Sequence, residues 1–426
     1  MAPHRGSPIL IGSSRVLLMM LALATAPILA RGLGTDGRGL YAAATAAFGL
    51  APVILAAGVP TAVRVSAAHK SVDPRSLLRS VAVLLPPVAV LGGLLGAVLS
   101  LTLLHELSET EALLFSVSMA CTSMFVWILC VQSVLVAYAR YFEIAIAQVL
   151  QGLFTAISIV SLWLAGSLTV ASAMGVYGFA TLVAALVLTL VVRSIVFGAA
   201  IGASTRTVDL LRGGARYMAA QVSEVSTTTL PILVAPVAIG ASSAGLLSVG
   251  ITAASIPMIV AFVVSPVIFG ASARAVAESE ALEILGTGLR AALLATVGIA
   301  VPLGLLCPVL VPVLFGEPFS AAVAPAVVMV FASPLTVWLL VLGQWFASRA
   351  RAMPQAVAQL SCVSVSVIGL FFLSADSTVA AGSSISAGAI VGSAILVAWS
   401  GLSLRSLSIG SGYLTDFVNV VVKGRS

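Results

Sequence analysis

Residues 31–39 read "RGLGTDGRG". Gly32, Gly34 and Gly37 stand in the G-x-G-x-x-G spacing that cradles a dinucleotide pyrophosphate. That fingerprint follows a short strand and needs an acid about 20 positions further on, for the ribose. Here it follows the apolar run "SRVLLMMLALATAPILA" at 14–30, and no Asp or Glu occurs between Asp36 and Asp73. A nucleotide site is therefore excluded. The stretch reads as a tight turn in which glycines let one apolar segment double back into the next.

Such segments recur along the whole chain. Hydrophobic residues make up 60% and charged residues 8% of 426 residues, against roughly 25% charged in soluble domains. The mean hydropathy is +1.19, and too few charges remain to make a polar skin. Twelve runs are long enough to cross a bilayer: 10–30, 40–66, 77–104, 112–138, 144–165, 169–193, 214–239, 245–270, 288–315, 321–347, 354–374 and 385–404. They lack the strict alternation of barrel strands, so the expected fold class is an all-α, polytopic membrane protein. The start of the chain also has the basic, apolar and small-residue order of a secretory signal. With eleven further runs behind it, a retained first helix is expected.

With the N-terminus inside, 18 of the 20 Lys and Arg residues fall on inner connections and helix ends. Only Arg31 and Arg38 remain outside, while the outer loops carry Glu106, Glu109, Glu111, Glu317 and Asp376. This asymmetry predicts a plasma (inner) membrane protein with both termini cytoplasmic. It also accounts for the net charge of +6 without a nucleic-acid partner. Cys121, Cys130, Cys307 and Cys362 lie within apolar runs and lack metal-ligand spacing, so no metal site is expected.

The longest polar connection, near 194–213, leaves no room for a soluble catalytic domain, and an enzyme is not expected. That connection divides the chain into an N-terminal six-helix bundle (1–200), a cytoplasmic linker (201–213) and a C-terminal six-helix bundle with a short tail (214–426). Six crossings per half make the halves parallel repeats. A shift of 206 positions lays Gly39 on Gly245, Leu40 on Leu246, Ala47 on Ala253 and Pro60 on Pro266. Prolines inside the runs, among them Pro52, Pro231, Pro302, Pro308, Pro312 and Pro334, predict kinks that bend helices around a cavity.

Polar groups at membrane depth mark candidate sites, because they are costly unless they face protein or water. Tyr217, Gln221, Glu224 and Thr228 are spaced for one helical face, and Glu224 is the one acid well inside a run. Its functional reading is a substrate or coupling-ion contact; its structural reading is a glutamate that ties helices together. Gln148 and Gln151, with Thr155 and Ser158, form a second stripe, and Gln355 and Gln359, with Ser366, a sparser third. Amides on such faces line a polar interior or bond neighbouring helices. Arg15 and Arg64 either snorkel to headgroups or point inward to hold a phosphate.

A first segment ending "LARGLG" (29–34) and continuing "GRGLYAAATAAFGLAPVILAAGVPTAVR" (37–64) resembles the polysaccharide flippases of the multidrug/oligosaccharidyl-lipid/polysaccharide exporter superfamily. The acid at Glu224 and the stretch "AGLLSVGITAASIPMIVAFVVSPVIFGASAR" (244–274) are similar to that family's second half. The resemblance implies about twelve transmembrane helices in two parallel six-helix bundles around a central cavity that opens alternately to each side. It implies a flippase moving a polyprenyl-pyrophosphate-linked saccharide to the outer leaflet for cell-surface polysaccharide synthesis. No cofactor is implied; Na+ or H+ would be the coupling ion. Implied partners are the lipid-linked saccharide, membrane lipids, and a polysaccharide polymerase or glycosyltransferases. Arg15, Arg31, Arg38 and Arg64 are the candidate phosphate contacts. A multidrug/cation antiporter of the same superfamily and a non-transporting scaffold for envelope synthesis are the alternatives.

Overall fold

The computed structural model describes residues 9–68, 72–198, 205–374 and 377–402. The terminal arginines and lysines and Asp376, on which part of the expected orientation rests, lie outside these residues. Fifteen α-helices follow in order: α1 (Ile9–Leu55), α2 (Val59–Ala68), α3 (Pro74–Ala82), α4 (Leu85–Thr102), α5 (Glu109–Ala120), α6 (Thr122–Ala137), α7 (Tyr141–Leu164), α8 (Val170–Gly198), α9 (Thr207–Ile239), α10 (Ala241–Ser255), α11 (Ile259–Arg274), α12 (Glu278–Phe315), α13 (Val323–Ser348), α14 (Ala352–Leu373) and α15 (Thr378–Ser400).

Among the described residues, ten helices are long and apolar enough to cross a membrane, or eleven if the bent pair α10 and α11 forms one span. The twelve expected from the sequence are not separated in this way, and the difference lies at the opening stretch. Two helical segments meet at a kink within residues 31–39, where Gly34 alone is non-helical, with φ 70° and ψ −175°. Only a residue without Cβ takes that conformation readily. The apolar stretch around it, Gly12–Leu55, has 44 residues. At 1.5 Å per residue it would extend about 66 Å, twice a hydrocarbon core. Pro302, Pro308 and Pro312 all sit inside the continuous α12, whereas Pro257 falls in the α10–α11 break.

The chain forms two compact units, Met1–Val225 with Ile232–Val237, and Ser226–Pro231 with Ala238–Ser426. The N-terminal unit is built on Leu77, Val81, Cys130, Val131, Val134, Leu135 and Ile144. The C-terminal unit is built on Leu285, Leu289, Val341, Leu342, Trp345 and Phe346. Its indoles find backbone acceptors: Trp345 Nε1 donates to Ala281 O and Trp338 Nε1 to Leu289 O, both at 3.1 Å. Buried hydroxyls donate within their own helices, as Thr296 to Ala292 O and Ser366 to Cys362 O. In an apolar solvent these bonds are the cheapest way to carry a hydroxyl.

Each unit repeats the same local devices. Gly34 before the second half of α1 and Gly240 before α10 (φ 81°, ψ 156°) stand 206 positions apart, the shift that aligns the two sequence halves. The α6–α7 turn is matched by the α13–α14 turn at a spacing of 211, Ala139 to Ala350. In the first, Arg140 N donates to Leu135 O (2.9 Å) and Ala139 N to Val136 O (3.0 Å). In the second, Arg351 N donates to Phe346 O (3.0 Å) and Ala350 N to Ala347 O (3.1 Å). Both are Schellman caps with an alanine at φ 55° in the left-handed position.

Candidate functional site

Four helices of the N-terminal unit, α1, α2, α7 and α9, bring five of the twelve polar candidates together. Ser14 on α1 is buried, and its hydroxyl donates to Gln148 Oε1 on α7 at 2.9 Å. Gln221 on α9 donates through Nε2 to Thr61 Oγ1 on α2. Arg15 lies close enough for its charge to act on both Arg64 and Glu224, and Arg64 also feels Tyr141 at the start of α7. Glu224 is half-buried, while Arg15 and Arg64 remain exposed. The result is two guanidinium groups, one carboxylate, two amides and three hydroxyl-bearing side chains within a single unit.

The helical spacing explains this convergence. Gln221 and Glu224 share a face of α9, and Thr61 and Arg64, three apart on α2, share another. Ser14, Thr61 and Tyr141 were not among the sequence candidates. Tyr141 could have been found, since it stands seven residues before Gln148 on the same face of α7. Ser14 and Thr61 carried no such signal, because each is defined by an amide from another helix.

The remaining candidates fall elsewhere. Tyr217 is exposed one turn before Gln221, and Thr228 is exposed in the segment of α9 that belongs to the C-terminal unit. Gln151 is half-buried, and its carbonyl accepts from Thr155 Oγ1 at 2.9 Å. Gln355 and Gln359 are buried inside the C-terminal unit, at 5% and 3% exposure. The Gln355 amide packs closely over Gly343 of α13. The two outer arginines also part. Arg31 is exposed, whereas Arg38 is buried at 8% beside Tyr41. Nearby, Phe48 packs against Tyr177 at 5.3 Å and Phe115 at 5.7 Å. No group of His, Cys, Asp and Glu that could hold a metal occurs among the described residues.

An all-α fold with many membrane-length helices defines the class as a polytopic membrane protein. The sequence matches the family described as "Polysaccharide biosynthesis protein" over residues 7–276, and the chain belongs to that family. Among curated proteins none matches it. Solved structures share the fold at low identity. The lipid II flippase MurJ in an inward closed conformation is 13% identical, with a TM-score of 0.70 over 98% of this chain and 92% of that one. An inward-facing multidrug resistance MATE family transporter of the MOP superfamily is 15% identical, with a TM-score of 0.66 over 93% and 98%. A MOP superfamily transporter from Pyrococcus furiosus, whose binding pocket is of reversed polarity, is 12% identical, with a TM-score of 0.59 over 96% and 98%. These structures are of transporters and a flippase, not enzymes.

Proposed function

We propose that this protein is an alternating-access flippase that moves a polyprenyl-pyrophosphate-linked saccharide from the cytoplasmic to the outer leaflet. The observation that carries this reading is Arg15, whose charge reaches both Arg64 and Glu224, in a family of polysaccharide biosynthesis proteins. A guanidinium presents a planar fork of donors suited to phosphate oxygens. The amides and hydroxyls of Gln148, Gln221, Thr61 and Tyr141 suit the hydroxyls of the attached sugar. The cargo's lipid tail stays in the bilayer, so the protein needs to shelter only the polar head. No bond is made or broken. Treating Gly12–Leu55 as two spans and α10–α11 as one gives the twelve crossings that two bundles of six require, with both ends of the chain on the cytoplasmic side of the inner membrane.

The multidrug/cation antiporter reading is favoured by the several multidrug transporters among the structures that share the fold. Their fold is common to both functions, however, and a cation carrier calls for acids where this cluster has more arginine than glutamate.

The test is loss of the protein in a host without a redundant exporter. Lipid-linked glycan is expected to accumulate on the cytoplasmic leaflet, and normal outer-leaflet glycan would refute the reading. Glu224→Gln is expected to reduce export at unchanged protein level; full activity would make Glu224 a structural tie. Drug efflux from a sensitised host separates the second reading.

A further inference from the structure

We infer that the break between α5 and α6 binds a water molecule near the middle of the membrane, hydrogen-bonded by Thr122, Ser118 and Thr181, and that this water makes Cys121 the reactive thiol of the chain. The site uses none of the residues of the Arg15 cluster and does not depend on the proposed cargo.

One threonine departs from the pattern of the others. Thr25, Thr181 and Thr296 are buried, and each donates to the carbonyl four residues back in its own helix, at 3.1, 3.0 and 2.6 Å. That is how a helix carries a hydroxyl through apolar surroundings. Thr122 is buried too, at 2% exposure, yet its Oγ1 makes no hydrogen bond among the described residues. The helix break supplies the reason. Cys121, between the two helices, has φ −65° and ψ −7°, and its amide donates to Ser118 O at 2.9 Å in a tightened turn. Ser118 O is the carbonyl four residues before Thr122. Met119 O, three before it, lies against α4, where a Cβ on Gly92 would stand 2.5 Å away. A hydroxyl deprived of both carbonyls and of solvent calls for a partner of another kind, because leaving it unbonded is costly.

The cleft beside Thr122 has both the room and the partners. Ser118, Cys121 and Thr122 line it from the break, and Gly178 and Thr181 from α8, with free space of about one water molecule. A buried water needs two to four polar neighbours. Thr122 Oγ1 can donate to it, and Thr181 Oγ1, whose own proton goes to Tyr177 O, can accept from it. Ser118 Oγ can do either. Gly178 keeps the space open, since a Cβ there would lie 3.5 Å from Ser118 Oγ. The cleft is also deep. Glu109–Ala137 is one membrane-length stretch of 29 residues, and Cys121 stands about 18 Å along it from Glu109. Cys121 is half-exposed, whereas Cys130, Cys307 and Cys362 are buried. Only a thiolate reacts, and apolar surroundings suppress its formation. A water at the break gives Cys121 the polar neighbour that the other three thiols lack.

The experiment uses the full chain in lipid nanodiscs and the small neutral reagent methyl methanethiosulfonate. The Cys121 thiolate, its proton passed to water, attacks the sulfenyl sulfur; a mixed disulfide forms and methanesulfinate leaves. Mass spectrometry of peptides reads the rate at each cysteine. Cys121 is expected to react at least tenfold faster than Cys130, Cys307 and Cys362. Gly178→Ala, whose Cβ fills the cleft at ordinary contact distance from Ser118 Oγ, is expected to slow Cys121 at least tenfold. Thr122→Val, of nearly the same shape, gives a second readout that is decided by sign. With the water bound, valine removes one of its partners and lowers the thermal unfolding midpoint, while Thr122→Ser keeps it near that of the parent protein. Without the water, valine removes an unsatisfied hydroxyl and raises the midpoint. A higher midpoint in Thr122→Val, equal rates at all four cysteines, or Cys121 labelling unchanged by Gly178→Ala would overturn the site.

Discussion

Ala139 and Ala350 give a stability prediction in which sign as well as size is fixed by the backbone. Both close a Schellman cap, and both have φ 55°. A left-handed conformation costs a residue with Cβ about 1–2 kcal/mol. Replacement by glycine removes that cost but returns about 0.4–1 kcal/mol through the greater freedom of the unfolded chain. Each of Ala139→Gly and Ala350→Gly is thus expected to stabilise its bundle by about 0.5–1 kcal/mol. The same chemical change at Ala22, exposed inside α1, should destabilise by about 0.8–1 kcal/mol through helix propensity alone. Reversible unfolding in mixed detergent micelles, read by tryptophan fluorescence, measures all three. Destabilisation by Ala139→Gly and Ala350→Gly of the size seen at Ala22 would refute the assignment of strain to these turns. These turns launch α7 and α14, which carry Gln148 and Gln355.

Glu278 receives Arg349 Nη2 at 2.9 Å and Arg351 Nη1 at 3.2 Å. All three groups are partly exposed, so Glu278→Ala is expected to cost only about 1 kcal/mol, with the difference shrinking at high salt; a salt-independent loss above about 3 kcal/mol would mean the pairs act as a buried lock. Arg349 keeps its bonds to Ser272 O and Ala275 O in that variant, at 3.3 and 3.1 Å. In the site, Arg15→Gln and Arg64→Gln are each expected to lower saccharide-lipid flux about 10- to 100-fold, with lysine recovering part of it. Full flux in both glutamine variants would remove the arginines from the carrier function.

Features that depend on solvent are legible in the chain itself, whereas those that depend on a neighbour are not. Apolar runs mark bilayer crossings because length and hydropathy are local properties, and the shift of 206 read from Gly39 on Gly245 and Pro60 on Pro266 also superposes two glycines with a backbone duty, Gly34 and Gly240. The matching turns at Ala139 and Ala350 left no trace, since their residue type is not the glycine or asparagine that usually signals a left-handed cap. The polar stripes show the same division. Gln148 with Gln151 and Gln355 with Gln359 have similar helical spacing, yet Gln148 meets Ser14 near the arginines and Gln355 is packed over Gly343. Periodicity says which residues share a face, and cannot say what that face meets. Arg38 shows the same division: it stands in the helical segment that follows Gly34 and is buried beside Tyr41.

The sign of the charge in the site separates the two transport readings more sharply than the fold does. An organic cation would approach Arg15 and Arg64 against their repulsion, with one carboxylate to attract it. A diphosphate meets two guanidinium groups and is opposed by that same carboxylate. At partial exposure such interactions are worth on the order of 1–4 kcal/mol per pair at 4 Å, so the excess of one positive charge tilts the balance toward the anion without making it bind irreversibly. The carboxylate is then part of the design rather than a flaw in it. In the proposed carrier Glu224 would offset Arg15 while the site is empty, sparing an unpaired cation at membrane depth, and its repulsion would weaken the hold on the head group once the far side opens. A carrier has to release what it binds, and an arginine cluster with no internal acid would retain a diphosphate too well to let it go.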